Sequence, residues 1–338
     1  MKHIKIAISI LTALCLSLPV FGQVTKVGTT AAAFLKIANG ARSQAMGGAF
    51  VSVANDVTAL YWNVAGVAQL TSPELSFTHS EWLQEINYDN LAVALPLGSA
   101  GVFGVSFTAM TMGEMEQTTE LQPEGTGLLF DAGSYSANIS FARQLTDKFM
   151  IGFTGKYVRE NIWNSSASAV GLDVGTLFET PFNGMRLGMS INNFGTKMQM
   201  DGDDLLIQVD PDPSRSGNNE NISARYLTDR FDMPLVFRVG LSMELVKSEQ
   251  NRLTVAVDAL HPNDNAESMN FGAEYAFNEM FFLRGGYQSL FLEDSEEGFT
   301  AGAGIYTRVP GLMFKLDYAY QDFGMLDNVQ MFTVRLSF

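Results

Sequence analysis

Apolar and polar residues alternate with a period of two over most of this chain, and no other feature restricts its possible folds as strongly. In "GLMFKLDYAYQD", Leu312, Phe314, Leu316, Tyr318 and Tyr320 share one face of an extended strand, with Met313, Lys315, Asp317, Ala319 and Gln321 on the other. "MPLVFRVGLSMELV" sets Leu235, Phe237, Val239, Leu241, Met243 and Leu245 against Arg238, Gly240, Ser242 and Glu244. "KFMIGFTGKYV", "GMRLGMSIN", "NRLTVAVDAL" and "MNFGAEYAF" repeat the pattern, and no helical stripe of comparable strength occurs. The alternation predicts strands near 73–81, 86–96, 100–112, 131–143, 148–159, 166–180, 184–194, 232–246, 251–261, 267–277, 279–289, 297–308, 311–322 and 327–338.

Two architectures produce such a pattern. A water-soluble sandwich turns its apolar face into a core. A membrane barrel turns it out to lipid and keeps the polar face in the lumen. The strands run to about 9–12 residues, the length of a tilted bilayer crossing. Their apolar faces end in aromatics (Tyr157, Tyr275, Tyr287, Tyr318, Tyr320, Phe338), as interfacial girdles require. The expected fold is therefore all-β, an antiparallel transmembrane β-barrel of about fourteen strands. Connection lengths agree. "PLGSA", "LTDK", "PFN", "KSEQ", "NE" and "VPG" are tight turns on one side, and the long connections 113–130 and 195–231 both fall on the other.

The chain starts "MKHIK" and continues "IAISILTALCLSLPVFG", a basic start and an apolar run of export-signal length. Residues 1–22 are read as a signal peptide, with Gln23 the first mature residue. Cys15, the one cysteine, falls inside it, so no disulfide framework is expected. Without Lys2 and Lys5 the chain holds 19 basic against 36 acidic residues, a net charge of −17. Such a surface repels nucleic acid. Export, lipid-facing strands and no later apolar run of spanning length place the protein in an outer membrane. The last strand, "MFTVRLSF", puts Phe332, Val334, Leu336 and Phe338 on one face, an apolar comb with an aromatic tip. It reads as the signal taken by barrel-assembly machinery.

Residues 23–72 leave the pattern and are expected to form a small plug, with the barrel spanning 73–338. Gly47 and Gly48 demand a tight turn or close approach. Asn55 and Asp56 are expected to cap a short helix through "VTALYW", ended by Asn63. Because the segment precedes the first strand, it is expected to begin on the periplasmic side.

"FLKIANGARSQAMGGAFVSVANDVTALYWNVAGVA", Phe34 to Ala68, resembles the amino-terminal signature of the PorV/PorQ family of Bacteroidota outer-membrane proteins, relatives of the FadL-type fatty-acid transporters. The family's Asn-Pro-Ala-Gly pattern reads Asn63-Val64-Ala65-Gly66 here, so the rigid φ of proline is missing. The resemblance implies a FadL-like barrel of 14 strands with an amino-terminal plug. It also implies a role in type IX secretion through protein partners: translocon, attachment complex or cargo. The FadL kinship implies an alternative, transport of a hydrophobic small molecule.

The mature chain has two histidines, His79 and His261, and no HExxH, CxxC or phosphate-loop motif. A wall-mounted Ser–His pair at His79 is the one hydrolase arrangement to test, and no enzyme and no cofactor are expected. The acidic stretches at 201–204, 210–213 and 293–297 lack calcium-loop spacing and read as solvated outer loops. On the predicted registers Lys156, Arg186, Arg238, Arg284, Lys315 and Arg335 face the lumen together with Asp173, Glu244, Asp258, Glu274 and Asp317. Signs that nearly balance suit paired charges in a blocked interior better than a pore selective for one sign. Met150, Val158, Leu177 and Phe282 also point inward, either lining a ligand pocket or packing on the plug.

Overall fold

The computed structural model describes residues 26–338 apart from Ser216, Asn218, Glu220 and Asp294, so the signal peptide lies outside the described residues. Fourteen strands form the wall: β1 (Glu74–Glu81), β2 (Asn87–Pro96), β3 (Val102–Thr111), β4 (Ala132–Thr146), β5 (Phe149–Ile162), β6 (Ser165–Glu179), β7 (Arg186–Gly195), β8 (Val236–Lys247), β9 (Asn251–Pro262), β10 (Ser268–Phe277), β11 (Phe281–Leu290), β12 (Phe299–Val309), β13 (Leu312–Asp322) and β14 (Asn328–Ser337). Each pairs antiparallel with its neighbours in sequence. The circle closes where β1 meets β14, in a register running from Glu74↔Ser337 to Glu81↔Gln330. The N–H of Phe338 adds a bond to the Pro73 carbonyl at 3.0 Å, so the chain's last residue completes the seam. Full closure leaves no strand edge unpaired, which a bilayer demands.

Burial separates the barrel from the sandwich. Along β1, Ser76, Thr78 and Ser80 are buried while Phe77 is 46% exposed. Along β14, Thr333 and Arg335 are buried while Phe332 is 48% exposed. A water-soluble sandwich would show the reverse. Polar side chains line the interior, and the apolar set faces lipid. Ladder hydrogen bonding runs around the whole wall, with local register shifts in the β4–β5, β6–β7, β8–β9 and β10–β11 pairs. β3 pairs along all its residues with both neighbours. β4 and β5, at 15 and 14 residues, are longer than the pattern predicts, and β6 has its predicted length of 15; all three are longer than a tilted crossing needs.

Both ends of the wall lie at the rim of short turns, taken as periplasmic. The opposite rim carries the long loops. The loop 196–235 contains a hairpin, Leu206–Val209 paired with Ile222–Arg225.

Residues 31–70 fill the lumen as short pieces: a 3-10 turn at Ala33–Lys36, α1 (Ala41–Ala45), α2 (Ala59–Trp62) and a 3-10 turn at Val64–Gln69. Short elements follow from the alanine- and glycine-rich sequence, which allows close approach to the wall but nucleates no long helix. The path corrects one expectation. The first described residues lie at the outer rim, not the periplasmic one. Ala31 donates its N–H to Asp232 O at 3.0 Å in the long outer loop. Thr30 Oγ1 and Lys36 Nζ both reach Asp264 in the outer connection between β9 and β10, at 2.8 and 2.7 Å. The segment then descends through the lumen to join β1 at the periplasmic rim. The outer loops supply the acceptors that hold its start.

Candidate functional site: a pinned lumen and its outer mouth

In the periplasmic half of the lumen the wall's charges meet those of the plug. Arg335 (β14) places Nη1 2.6 Å from Asp56 Oδ2 and Nη2 2.8 Å from Asp317 Oδ2. It also donates to the Tyr306 hydroxyl. Arg284 (β11) bridges Glu274 and Asp317, each at 2.7 Å. Arg42, from α1, bridges Glu274 and Asp56, each at 2.8 Å. Lys315 reaches Glu74 at 3.0 Å, and Arg252 reaches Glu274 at 3.2 Å. Strand alternation delivers the wall members to the inner face, and removing any one leaves an opposite charge buried without its partner. Burial pushes the Asp56 carboxyl up, but Arg335 and Arg42 outweigh it and hold it well below the usual carboxylate range.

Three further polar contacts stand around the circumference, two of them to the plug. Asp258 accepts the N–H groups of Phe50 and Val51 at 2.8 and 2.9 Å. Lys156 pairs with Asp173 at 2.8 Å and donates to Asn193 Oδ1 at 2.6 Å, where the β6–β7 ladder shifts register. The Arg238 guanidinium lies 5.5 Å from the Trp62 ring centroid. Of the eleven predicted lumen charges, two stand apart. Glu244 pairs with Lys247 at 2.8 Å near the periplasmic rim, and Arg186 sits at the rim opposite Ser242 and Glu179. Both lie too close to strand ends to reach the plug.

The plug motif makes its own contacts. Gly47 has φ +63, and a Cβ there would lie 2.7 Å from Phe271 O and from Tyr287 N, so plug backbone rests on wall backbone. Gly48 has φ +70 and packs on Asn270 and Trp62. Asn63 donates to Val51 O at 2.8 Å and Thr176 O at 3.0 Å, and accepts from the Ala65 N–H at 3.2 Å. Asn63 follows α2, as expected, and also starts the next 3-10 turn. A Cβ on Gly66 would meet Ala54 O at 2.3 Å, and Ala65 packs with Met150 and Leu177. Val158 packs with Phe34 and Leu35, so these inward apolar residues cover the plug. Phe282 instead stacks on Tyr306, centroids 4.2 Å apart.

Sequence reasoning missed Arg42, Asp56 and Glu74 as members of the network. Asp56 does not cap α2 from the expected N-cap position, which Thr58 holds. One Asp56 oxygen accepts the Thr58 N–H at 3.0 Å, and the other faces the arginines. Two signals were available. Arg42 is an isolated cation in a stretch of small residues, and Glu74 shares the inward parity of Ser76 and Thr78.

At the outer mouth a cavity of about 330 Å³ opens above the plug. Phe34, Ile37, Trp82 and Met110 form its apolar side, and Gln44, Gln288, Gln321 and Glu297 its polar side. Leu206, Ile222, Tyr226 and Leu227, in and beside the hairpin of loop 196–235, are exposed. His79 points away from the lumen and bonds Asp89 at 2.8 Å, while the flanking Ser76 and Ser80 are buried on the opposite face. The structure therefore does not assemble a Ser–His pair there. Among the described residues no three His, Cys, Asp or Glu side chains gather as metal ligands.

Solved structures similar to this one include several transporter barrels. The Pseudomonas putida toluene transporter TodX superposes with a TM-score of 0.54 at 14% identity, over 88% of this chain and 97% of that one. The Ralstonia pickettii toluene transporter TbuX gives 0.52 at 12%, over 88% and 97%. A Pseudomonas aeruginosa FadL homologue gives 0.51 at 12%, over 87% and 96%. At such identities the likeness establishes architecture alone. No curated protein matches the sequence. The family described as type IX secretion system protein PorV matches residues 22–208, taking in the plug and the wall through β7. A closed fourteen-stranded FadL-like barrel with a filled lumen, matched over more than half its length by that family, is an outer-membrane protein, and the chain belongs to the PorV family.

Proposed function

We propose that this barrel serves type IX secretion by binding protein partners at its outer face, and not by conducting solutes. One contrast carries the reading: the lumen is filled and pinned, while loop 196–235 displays apolar side chains to the outside. Tyr226 is 63% and Leu227 91% exposed. Exposed apolar groups clustered beyond the lipid-facing wall mark an interaction surface. The plug is tied to the wall by buried ion pairs at two strands, Arg42 to Glu274 and Asp56 to Arg335, and by backbone bonds to Asp258, so opening a path would require breaking them together.

Transport of a hydrophobic compound, the second reading, is supported by the cavity at the outer mouth and by the shared architecture. The uninterrupted pairing of β3 with both neighbours weighs against a lateral exit at that strand. Affinity purification from the native membrane in mild detergent tests the choice. Protein partners should co-elute, and replacing residues 206–227 with a short Gly-Ser linker should release them from a barrel that stays folded. A preparation with no protein partner and one stoichiometric hydrophobic ligand would reverse the ranking.

A further inference from the structure

The cavity above the plug has a polar side whose chemistry is one-sided. Gln44 and Gln321 are 2% and 1% exposed, both line the cavity, and the side-chain carbonyl oxygen of each accepts no hydrogen bond. Gln321 uses its amide N–H on Gln288 at 2.9 Å, which leaves its oxygen free. Glu297, from the loop between β11 and β12, lines the same cavity half-buried. It accepts a hydrogen bond from Ser289 Oγ, and among the described residues no cation lies within ion-pair distance of it. Burial pushes the Glu297 carboxyl up, and Ser289 and Lys36 offset this only in part. Lys36 is the one cation on the cavity wall among the described residues, and Asp264 already holds it at 2.7 Å. That carboxylate is buried and also accepts from Thr30, so the pair is neutralised. Two idle acceptors and an unpaired carboxylate thus face a space whose other side carries the aromatic rings of Phe34 and Trp82.

Buried acceptors without donors are costly, and a ligand that supplies donors recovers that cost. An ammonium brings three donors and a positive charge. Aromatic faces attract it further. A carboxylate would bring only acceptors and would meet Glu297 as a like charge. We infer that the outer cavity is a binding site for a primary ammonium carried on a short apolar or aromatic stem, with Gln44, Gln321 and Glu297 as its acceptors. This goes beyond the partner-binding reading, and the two stand or fall separately, because the cavity lies on the plug and the apolar loop surface lies outside it.

Calorimetric titration of the full barrel in lipid nanodiscs tests the site, with 2-phenylethylamine as probe and 3-phenylpropanoate and 2-phenylethanol as comparators. The amine should bind saturably, with the carboxylate weaker by about ten-fold or more. Glu297→Gln should bring the amine down to the level of the alcohol, and Gln321→Leu should weaken the amine while sparing the alcohol. Heat-modifiable gel migration identifies the variants that remain folded barrels, and either variant alone suffices for the comparison. Carboxylate binding as tight as the amine, amine binding unchanged in a folded variant, or no binding of the amine would each overturn the assignment.

Discussion

Arg335, in the last wall strand, and Asp56, in the plug, stand 2.6 Å apart with both side chains almost wholly buried. The wall's final strand and the segment preceding its first strand are thus joined by one ion pair deep in the lumen. Asp317 and Tyr306 bind the guanidinium from the wall, and Glu74 lies 3.6 Å from it.

Replacing Arg335 by Met should lower stability by about 3–5 kcal/mol, because Asp56 and Asp317 both lose a buried partner. Urea unfolding in detergent, read by heat-modifiable migration, measures it. Arg335→Lys should recover only part of the loss, since one ammonium cannot fork between two carboxylates as a guanidinium does.

Gly47→Ala and Gly28→Ala form a controlled pair. Both glycines have positive φ, +63 and +77, but only Gly47 faces wall backbone at 2.7 Å, while nothing lies within 4 Å of a Cβ on Gly28. The Gly28 change should cost about 1 kcal/mol, the strain of a left-handed residue. The Gly47 change should cost more, about 3 kcal/mol or above, and should reduce the yield of folded barrel.

Val64→Pro should be neutral or stabilising by about 0.4–1 kcal/mol. Val64 opens a 3-10 turn, where proline is tolerated, and Asn63 before it is already extended at φ −156 and ψ 98. The plug therefore adopts a backbone ready for the family's proline without having one. A loss of more than about 1 kcal/mol in the same unfolding assay would contradict this.

Acid should loosen the plug. The Asp56 carboxyl is depressed in the folded state, so its stabilisation is fully present above the unfolded-state value near pH 4 and fades as pH falls toward the lower folded value. Unfolding measured from pH 8 down to pH 3 should show a flat upper range and an acid-side decline. Asp56→Asn should start less stable and decline less over the same range, as about one proton-linked group is removed.

The wall was legible because lipid enforces period two on every strand, so Phe332 and Arg335 could be assigned to opposite faces without a template. Strand ends were less legible. β4 runs to Thr146 and β5 to Ile162, both beyond the predicted ends, because hydrogen bonding continues outside the hydrocarbon region that sets the apolar pattern. The lumen charges were found by parity alone, which explains the separation of Arg186 and Glu244: parity says which way a side chain points but not how deep it sits. Arg42 and Asp56 lay beyond such reasoning, since the plug has no repeating period to read.

The seam between β1 and β14 is also a place where the plug bonds to the wall. Thr333 takes the Ala41 N–H at 2.8 Å, Glu74 takes that of Val57 at 3.2 Å, and Arg335 holds Asp56. Closure and plugging are therefore coupled: the two strands that meet at the seam share their polar partners with the segment inside, so whatever weakens one join weakens the other.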